Sequence, residues 1–357
     1  MNIFYQFDDK YAPYGGVSIT SLFENNKDEA EVNVYILDDN ANPITEKNII
    51  KFKELAQKYN RLIEVINTVE LGDLIDELDI PNYRGCKAAN MRLFIDIVLP
   101  DLEGKLLYLD ADTLVCGSLR ELFKDNSGFG GDKTYSIGMI LESQGCGIRN
   151  ELGLDDANGY YNSGVILYDL GSWKQHKCSK RIIEHAKNVR AAYVSPDQDL
   201  LNVVLKDEIY TLQSRYNFQP MHAVYNDLTY RKVYNTKPYY TLDEINANVL
   251  EFVKIRKNLD QQQTNMQVQR TLILHCYRYL GKFPWTRNNQ HPFSQIWDYY
   301  CDLSPWKDLD KISEKSPIPI VIETILYKIL PSDMFLKLFR YVQVYVQKKE
   351  NRRLEVK

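Results

Sequence analysis

Two carboxylates one residue apart, Asp110 and Asp112, close the apolar run Leu106-Leu107-Tyr108-Leu109. Such a run reads as a buried strand, and the carboxyl edge of an open α/β sheet is where ligands sit. Alternation along an extended chain turns both side chains the same way. Their hard oxygens can then share one divalent cation, Mg²⁺ or Mn²⁺, carrying a diphosphate. The spacing alone is common: a chain this rich in Asp holds roughly two such pairs by chance, and Asp197/Asp199 and Asp308/Asp310 repeat it. The strand ahead of Asp110 sets that pair apart.

Other residues could serve the same chemistry. Asp8-Asp9-Lys10-Tyr11 closes the first apolar run, where a carboxylate, backbone amides and an aromatic face could hold a base and ribose; an Asp-rich turn is the plainer alternative. Arg92 stands opposite Met91 and Phe94, a planar fork suited to phosphate or sugar hydroxyls unless it is simply solvated. In Tyr160-Tyr161-Asn162-Ser163-Gly164-Val165 an amide and a hydroxyl stand at the mouth of a strand, and Gly164 permits close approach. Pro196-Asp197-Gln198-Asp199 opens a helix whose dipole the acids offset, and the neutral amide of Gln198 suits a developing oxocarbenium ion. His275 ends a short apolar strand and could complete the metal site as a neutral imidazole, or be a satisfied core group. Lys282, in Gly281-Lys282-Phe283-Pro284-Trp285, could neutralise a leaving diphosphate.

A scaffold must bring these residues to one edge. Residues 3–7 are apolar and aromatic, and Val17, Ile19, Leu22 and Phe23 follow at near-helical spacing, which predicts strand, loop and helix. Residues 32–37 and 63–66 repeat the strand signal, with a helix between them marked by Pro43, Ile49, Phe52 and Leu55. Residues 87–99 read as a helix with Met91, Phe94, Ile95 and Val98 inward, stopped by Pro100. Four strands with helical crossovers before residue 110 predict an α/β fold, a mostly parallel Rossmann-like sheet with helices on both faces. The pattern then loosens through a Gly-rich stretch at 128–131, a strand at 136–141 and a polar loop to Gly159, as in the walls of a site. Strands at 165–168 and 272–274 and helices at 181–189 and 199–206 follow.

The chain divides into residues 1–290, which carry the chemistry, and a helical, basic and aromatic region, 291–357. Residues 318–330 are apolar with one Glu and one Lys. Ser332-Asp333 can cap a last helix with Phe335, Leu338, Phe339, Val342 and Val346 on one face and Lys337, Arg340, Lys348, Lys349, Arg352 and Arg353 around it. Such a helix can lie on an anionic lipid surface or pack on the body. The net charge of −4 over 357 residues argues against nucleic acid as a partner. Six Cys without zinc spacing read as the reduced thiols of a cytosolic protein. No export signal and no apolar run of about 18 residues is present, so the expected location is cytoplasmic, peripheral on the membrane at most.

Taken in order, Asp8-Asp9-Lys10-Tyr11, Arg92, Leu106 to Asp112, Tyr160 to Leu167, Pro196 to Asn202 and His275 with Lys282 and Trp285 resemble glycosyltransferase family 8. These are retaining α-glycosyltransferases that include bacterial lipopolysaccharide galactosyltransferases and glycogenin, and the resemblance runs over about residues 1–290. It implies an A-type glycosyltransferase fold, a UDP-sugar donor with glucose or galactose, and Mn²⁺ or Mg²⁺ held by Asp110, Asp112 and His275. By motif position Asp8 and Tyr11, with Asp9 beside them, would hold uridine. Arg92, Asn162, Ser163 and Asp197 would hold the transferred sugar, and Gln198 would lie near the anomeric carbon. Lys282 would stabilise the leaving UDP and Trp285 would support its loop. The resemblance also implies a saccharide or glycolipid acceptor, with Glu142 as an acceptor-side candidate. No carboxylate nucleophile stands out, which favours front-face transfer over a covalent glycosyl-enzyme.

The chain departs from the family pattern at Lys10, where Asn is usual, and behind His275, where the segment to Trp285 is longer and Phe283 separates Lys282 from Pro284. Arg278 is therefore an alternative contact for the diphosphate. Two other classes remain open. Asp110-Ala111-Asp112-Thr113-Leu114 resembles the nucleophile motif of haloacid-dehalogenase-type phosphatases, although Leu114 and the late position of the motif do not suit them. A non-catalytic UDP-sugar-binding protein would need the same pocket.

Overall fold

Alternation along the first strand, β1 (Asn2–Phe7), sorts the core into two layers. Phe4 enters one layer with Leu37, Met91, Phe94 and Tyr108; Ile3, Tyr5 and Phe7 enter the other with Val34, Ile36 and Leu107. The computed structural model describes residues 1–39, 41–81, 88–124, 129, 135–142, 145–155, 158–189, 192–219 and 273–355. Most of the expected Gly-rich stretch at 128–131 lies outside the described residues.

Helix α1 (Ala12–Asn25) leads to β2 (Asn33–Asp38), α2 (Glu46–Tyr59), β3 (Leu62–Ile66) and α3 (Val69–Glu77). A 3₁₀ segment (Ala88–Phe94) runs into α4 (Ile95–Val98), followed by β4 (Lys105–Leu109), β5 (Thr113–Val115) and α5 (Arg120–Phe123). Then come β6 (Ile137–Leu141), a second 3₁₀ segment (Gly145–Leu152), β7 (Tyr161–Asp169), α6 (Leu170–Gln175), α7 (Cys178–Asn188), α8 (Pro196–Val204) and β8 (Ile209–Thr211). The chain finishes with β9 (Ile273–His275), α9 (Ser294–Leu303), α10 (Ile318–Ile329) and α11 (Ser332–Glu355).

The seven-stranded sheet has the order β3-β2-β1-β4-β7-β6-β8. The pairs β1/β2, β2/β3, β1/β4 and β6/β8 are parallel, and β7 is antiparallel to both its neighbours. The chain builds outward from β1 to β3 and then returns to place β4 on the other side of β1. The crevice between β1 and β4 is thus a topological switch point, where open α/β sheets bind ligands.

One expectation changes in detail. The helix expected over 87–99 is a 3₁₀ turn and a single turn of α-helix, because both sides of the segment are buried and the Arg92 carbonyl accepts the Tyr168 hydroxyl at 2.8 Å. Asn162 and Ser163 are the second and third residues of β7, just inside the strand mouth expected for them.

Helix α9 packs Ile296, Trp297 and Tyr300 with Tyr14, Val17 and Trp285 of the body. Helices α10 and α11 dock differently. Phe335 and Leu336 gather Tyr277, Tyr279, Leu326, Tyr327 and Phe339, and Lys348 pairs with Glu151 at 3.4 Å. Ile318, Val321, Ile322, Ile325 and Ile329 on α10, and Met334, Leu338, Tyr341, Val342, Tyr345 and Val346 on α11, are exposed. Ile318 is 76% exposed and Tyr341 70%. Both sets follow helical spacing, so each helix carries an apolar stripe outward. Among the described residues, no helix is long and apolar enough to cross a membrane.

Candidate active site

The end of β4 delivers Asp110 and Asp112, and a two-stranded ladder delivers the third group. In the antiparallel β5/β9 pair, Thr113 stands opposite His275, and the Cys276 amide donates to the Asp112 carbonyl at 2.6 Å. His275 Nε2 lies 3.2 Å from Asp112 Oδ1 and 3.5 Å from Asp110 Oδ2. Among the described residues these three offer ligand atoms within 4.8 Å of one another. Two carboxylates and an imidazole are a donor set that suits a divalent cation such as Mn²⁺. Gly164 on β7 closes the cradle from below: a Cβ there would meet His275 Cε1 at 2.2 Å and Asp110 Oδ2 at 2.7 Å. The close approach that Gly164 permits is thus that of two of the ligating side chains, His275 and Asp110.

The tautomer of His275 follows from its neighbour. Asn217 donates through Nδ2 to Asn162 Oδ1 at 2.7 Å, which leaves its Oδ1, 3.0 Å from His275 Nδ1, to accept the ring N–H. Nε2 then faces the carboxylates with its lone pair, as a metal-ligating histidine requires. Burial disfavours protonation of the ring, but Asp112 and Asp110 outweigh it and raise its pKa. Burial likewise raises Asp110, with the Arg92 and His275 charges opposing.

Arg92 is 5% exposed, so the solvated alternative does not hold. Its guanidinium lies 4.1 Å from the Tyr108 ring centroid and pairs with Asp110 at 3.0 Å and Asp197 at 3.3 Å. Nη1 also donates to the Ser163 carbonyl at 2.7 Å, while the Tyr108 hydroxyl donates to Asp110. Ser163 Oγ donates to Asp197 at 2.7 Å. Gln198 Oε1 accepts from the Ser163 amide at 3.1 Å and from Asn162 Nδ2 at 3.2 Å, and Nε2 donates to the Tyr160 hydroxyl at 3.0 Å. Glu142 accepts from Asn162 at 2.6 Å.

Helix α8 presents Asp197 and Gln198 to β7 because Asn202 brackets the Tyr161 backbone, accepting from its N–H and donating to its carbonyl, both at 2.8 Å. Asp199 accepts from Tyr160 at 2.5 Å and from the Ser195 amide at 2.9 Å. The acids opening α8 therefore hold tertiary partners beyond any effect on the helix dipole.

Asp8 accepts from the Tyr11 amide at 3.0 Å and from Asn42 at 3.1 Å. Burial pushes the Tyr11 hydroxyl up, with Asp112 adding to the rise and Arg278 opposing. Asp9 differs from its neighbours: its Oδ1 accepts from the Thr45 amide and hydroxyl and from Asn48, fixing the start of α2. That geometry makes Asp9 an anchor for the start of α2.

Lys282 and Arg278 form a separate station. Lys282 donates to the Glu314 carbonyl, and Arg278 pairs with the Glu314 carboxylate at 2.7 Å. Between Leu280 and Lys282, Gly281 has φ of +81° and no room for a Cβ beside Ile320 and Ser316. Trp285 stacks between Tyr14 at 4.3 Å and Phe283 at 4.7 Å, which fixes the far end of the turn.

Sequence reasoning missed Asn217 and the second role of Tyr160. Asn217 has no motif around it and meets its partners only through the fold; Tyr160 was visible beside Asn162, but not its bridge from Gln198 to Asp199.

Comparison with known proteins gives the family and the fold. The model of glycosyl transferase family 8 matches residues 2–257. Lipopolysaccharide 1,2-glucosyltransferase of Escherichia coli (strain K12) is 26% identical over 319 residues, 89% of this chain and 82% of that protein. General stress protein A of Bacillus subtilis (strain 168) is 24% identical over 307 residues, 85% and 93% of the two chains. The galactosyltransferase LgtC, solved in complex with donor and acceptor sugar analogs, matches with a TM-score of 0.62 at 22% identity, covering 85% of this chain and 96% of its own, so the two share the A-type glycosyltransferase fold. With the family model matched over well more than half its length, the chain belongs to glycosyl transferase family 8 and is a glycosyltransferase.

Proposed function

We propose that the protein is a retaining α-glycosyltransferase that moves a hexose, glucose or galactose, from a UDP-sugar to a saccharide or glycolipid acceptor, with Mn²⁺ or Mg²⁺ at Asp110, Asp112 and His275. One observation carries the reading: the carboxylate and imidazole group converges at the β1/β4 crevice with the buried network of Arg92, Asp197, Ser163, Asn162 and Gln198. A bound cation would draw the charge of the departing diphosphate. Asp8 and Tyr11 hold uridine. Arg92, Asn162, Ser163 and Asp197 hold the sugar hydroxyls, and Glu142 stands on the acceptor side behind Asn162.

Gln198 has its carbonyl oxygen fixed by two donors, so it acts as an oriented dipole beside the anomeric carbon. Asp197 is tied to Ser163 and Arg92, which makes it a poor nucleophile and favours front-face transfer. Lys282, or Arg278, receives the leaving diphosphate on release from Glu314. The haloacid dehalogenase alternative falls with the family assignment, and Asp110, its required nucleophile, is already hydrogen-bonded by Tyr108 and paired with Arg92.

The helical appendage begins in this reading at α10, and its outward stripes with Lys337, Lys348, Lys349, Arg352 and Arg353 suit an anionic membrane surface on the cytoplasmic side. That location favours a lipid-linked acceptor such as lipopolysaccharide, a capsule intermediate or a teichoic-acid-like polymer.

The test is thermal unfolding with Mn²⁺ and UDP, then UDP-glucose and UDP-galactose, followed by an assay of donor hydrolysis. At a hundredfold excess over Kd a ligand adds about 2.7 kcal/mol of apparent stability. A Mn²⁺-dependent gain lost in Asp110→Ala/Asp112→Ala, together with slow release of sugar to water, supports the reading. Binding without hydrolysis identifies a non-catalytic binder, and no gain with any uridine nucleotide rejects the donor assignment.

A further inference from the structure

Gln6 is the one β1 side chain of the crevice that no part of the proposed chemistry uses. It is 6% exposed, and neither its Nε2 nor its Oε1 has a hydrogen-bond partner among the described residues. An amide buried with both ends unpaired is destabilising unless something binds it. Its direction follows from the sheet. Gln6 pairs in register with Leu37 and lies two residues beyond Phe4, and Phe4 pairs with Tyr108. Phe4, Leu37 and Tyr108 all belong to the Arg92 side of the sheet, so Gln6 points into that layer. Continuing the β1/β4 register by two residues brings Gln6 level with Asp110, one rung inside Asp8. The amide therefore stands at the switch-point crevice, between the group proposed to hold the diphosphate and the residues proposed to hold the base.

We propose that Gln6 is a donor-binding residue whose carboxamide hydrogen-bonds the ribose hydroxyls of the incoming nucleotide. The inference rests on the UDP-sugar reading above. In a nucleoside diphosphate the ribose joins base to diphosphate, and its vicinal diol both donates and accepts. The carboxamide offers the matching pair, with Nε2 as donor and Oε1 as acceptor. An apolar residue of the same size would fill the layer without an unpaired group, so the amide makes sense as a ligand contact and not as packing.

The experiment is calorimetric titration of the full chain and of Gln6→Met and Gln6→Ala with UDP, 2′-deoxy-UDP and 3′-deoxy-UDP in the presence of Mn²⁺, beside thermal unfolding without nucleotide. Gln6→Met, close to isosteric, is expected to unfold at the same or a higher temperature than the parent and to bind UDP about tenfold more weakly, the worth of one or two neutral hydrogen bonds. Against 2′-deoxy-UDP and 3′-deoxy-UDP, each of which lacks one of the two contacted hydroxyls, the gap between parent and variant should shrink to about threefold. UDP binding unchanged in both variants overturns the inference, and so does an equal loss on all three nucleotides, which would place the contact on the base. A Gln6→Met chain that is less stable but binds UDP like the parent assigns Gln6 a structural role and also overturns it. Failure of the parent itself to bind UDP rejects the donor reading, and this inference with it, whatever the variants do.

Discussion

The sugar side and the cationic turn differ in how their charged groups are held. On the sugar side, Arg92, Asn162, Ser163, Asp197 and Gln198 are all buried and bonded to one another. On the turn, Arg278 and Lys282 are half-buried and both are bound to Glu314. The first arrangement needs no rearrangement to meet a neutral sugar, because its dipoles are already fixed. The second holds cations on an internal carboxylate and carbonyl that a diphosphate must replace. On the proposed reading, the groups that exchange partners lie where product would depart.

The largest effects should come from the metal group. His275→Ala and Asp112→Ala should lower turnover by about 10² to 10³, with no recovery in excess Mn²⁺. Asn217→Ala, which removes the acceptor that orients the imidazole together with a donor to Asn162, should weaken Mn²⁺ binding by about 10- to 100-fold and recover at high Mn²⁺. Titrating Mn²⁺ against turnover checks both; a curve for Asn217→Ala that matches the parent's would show that Asn217 does not set the tautomer.

Arg92 tests rigidity directly. Replacing it by Leu leaves Asp110 and Asp197 without their shared cation, and breaking a buried pair in this way costs about 3–5 kcal/mol. Urea unfolding should show that loss, with Lys in place of Arg intermediate because it cannot reach both carboxylates and the Ser163 carbonyl as a fork. A stable Arg92→Leu protein would mean that the sugar side is no more preorganised than the turn.

The opposite result is expected at Glu314. Glu314→Ala removes the carboxylate that occupies Arg278, so UDP should bind about two- to fivefold more tightly, within the range of a partly exposed ion pair. Lys282→Ala should weaken binding. Calorimetric titration settles the sign, and weaker binding in Glu314→Ala would make Glu314 a support for the cations instead of a competitor for them.

Much of the sheet was legible because long apolar runs with alternating faces dictate it. The strand before Asp110 singled out, among three, the Asp-x-Asp that His275 joins, and β1 to β4 fell where the periodicity placed them. The burial of Arg92 was not legible, since a 3₁₀ turn has a different period from the α-helix that the spacing suggested. Asn217 and His275 meet across 58 residues, and Glu314 meets the cationic turn loop to loop; neither contact has any local pattern. Asp9 looked like Asp8 in sequence and differs only because α2 starts beside it.

The last expected effect is one of pH and lies behind the sugar side, at Asp199. Burial pushes its carboxyl up to about 7, against the hydrogen bonds from Tyr160 and Ser195 and with the Asp197 charge adding to the rise. In the unfolded chain an Asp titrates near 4. Between about pH 4 and 7 the folded protein therefore keeps a proton that the unfolded chain has released. The stabilisation linked to that proton is full below about pH 4 and is lost as pH rises through 7, at a rate of up to roughly 1 kcal/mol per pH unit. Unfolding free energies measured from pH 4.5 to 8 (about the window set by these two values) should fall for the parent relative to Asp199→Asn, whose amide cannot titrate. Outside this window the difference between the two proteins should be constant. A constant difference throughout would mean that Tyr160 and Ser195 hold Asp199 ionised across the range, and the contrast between a fixed sugar side and an exchanging turn would then rest on the groups in front of it.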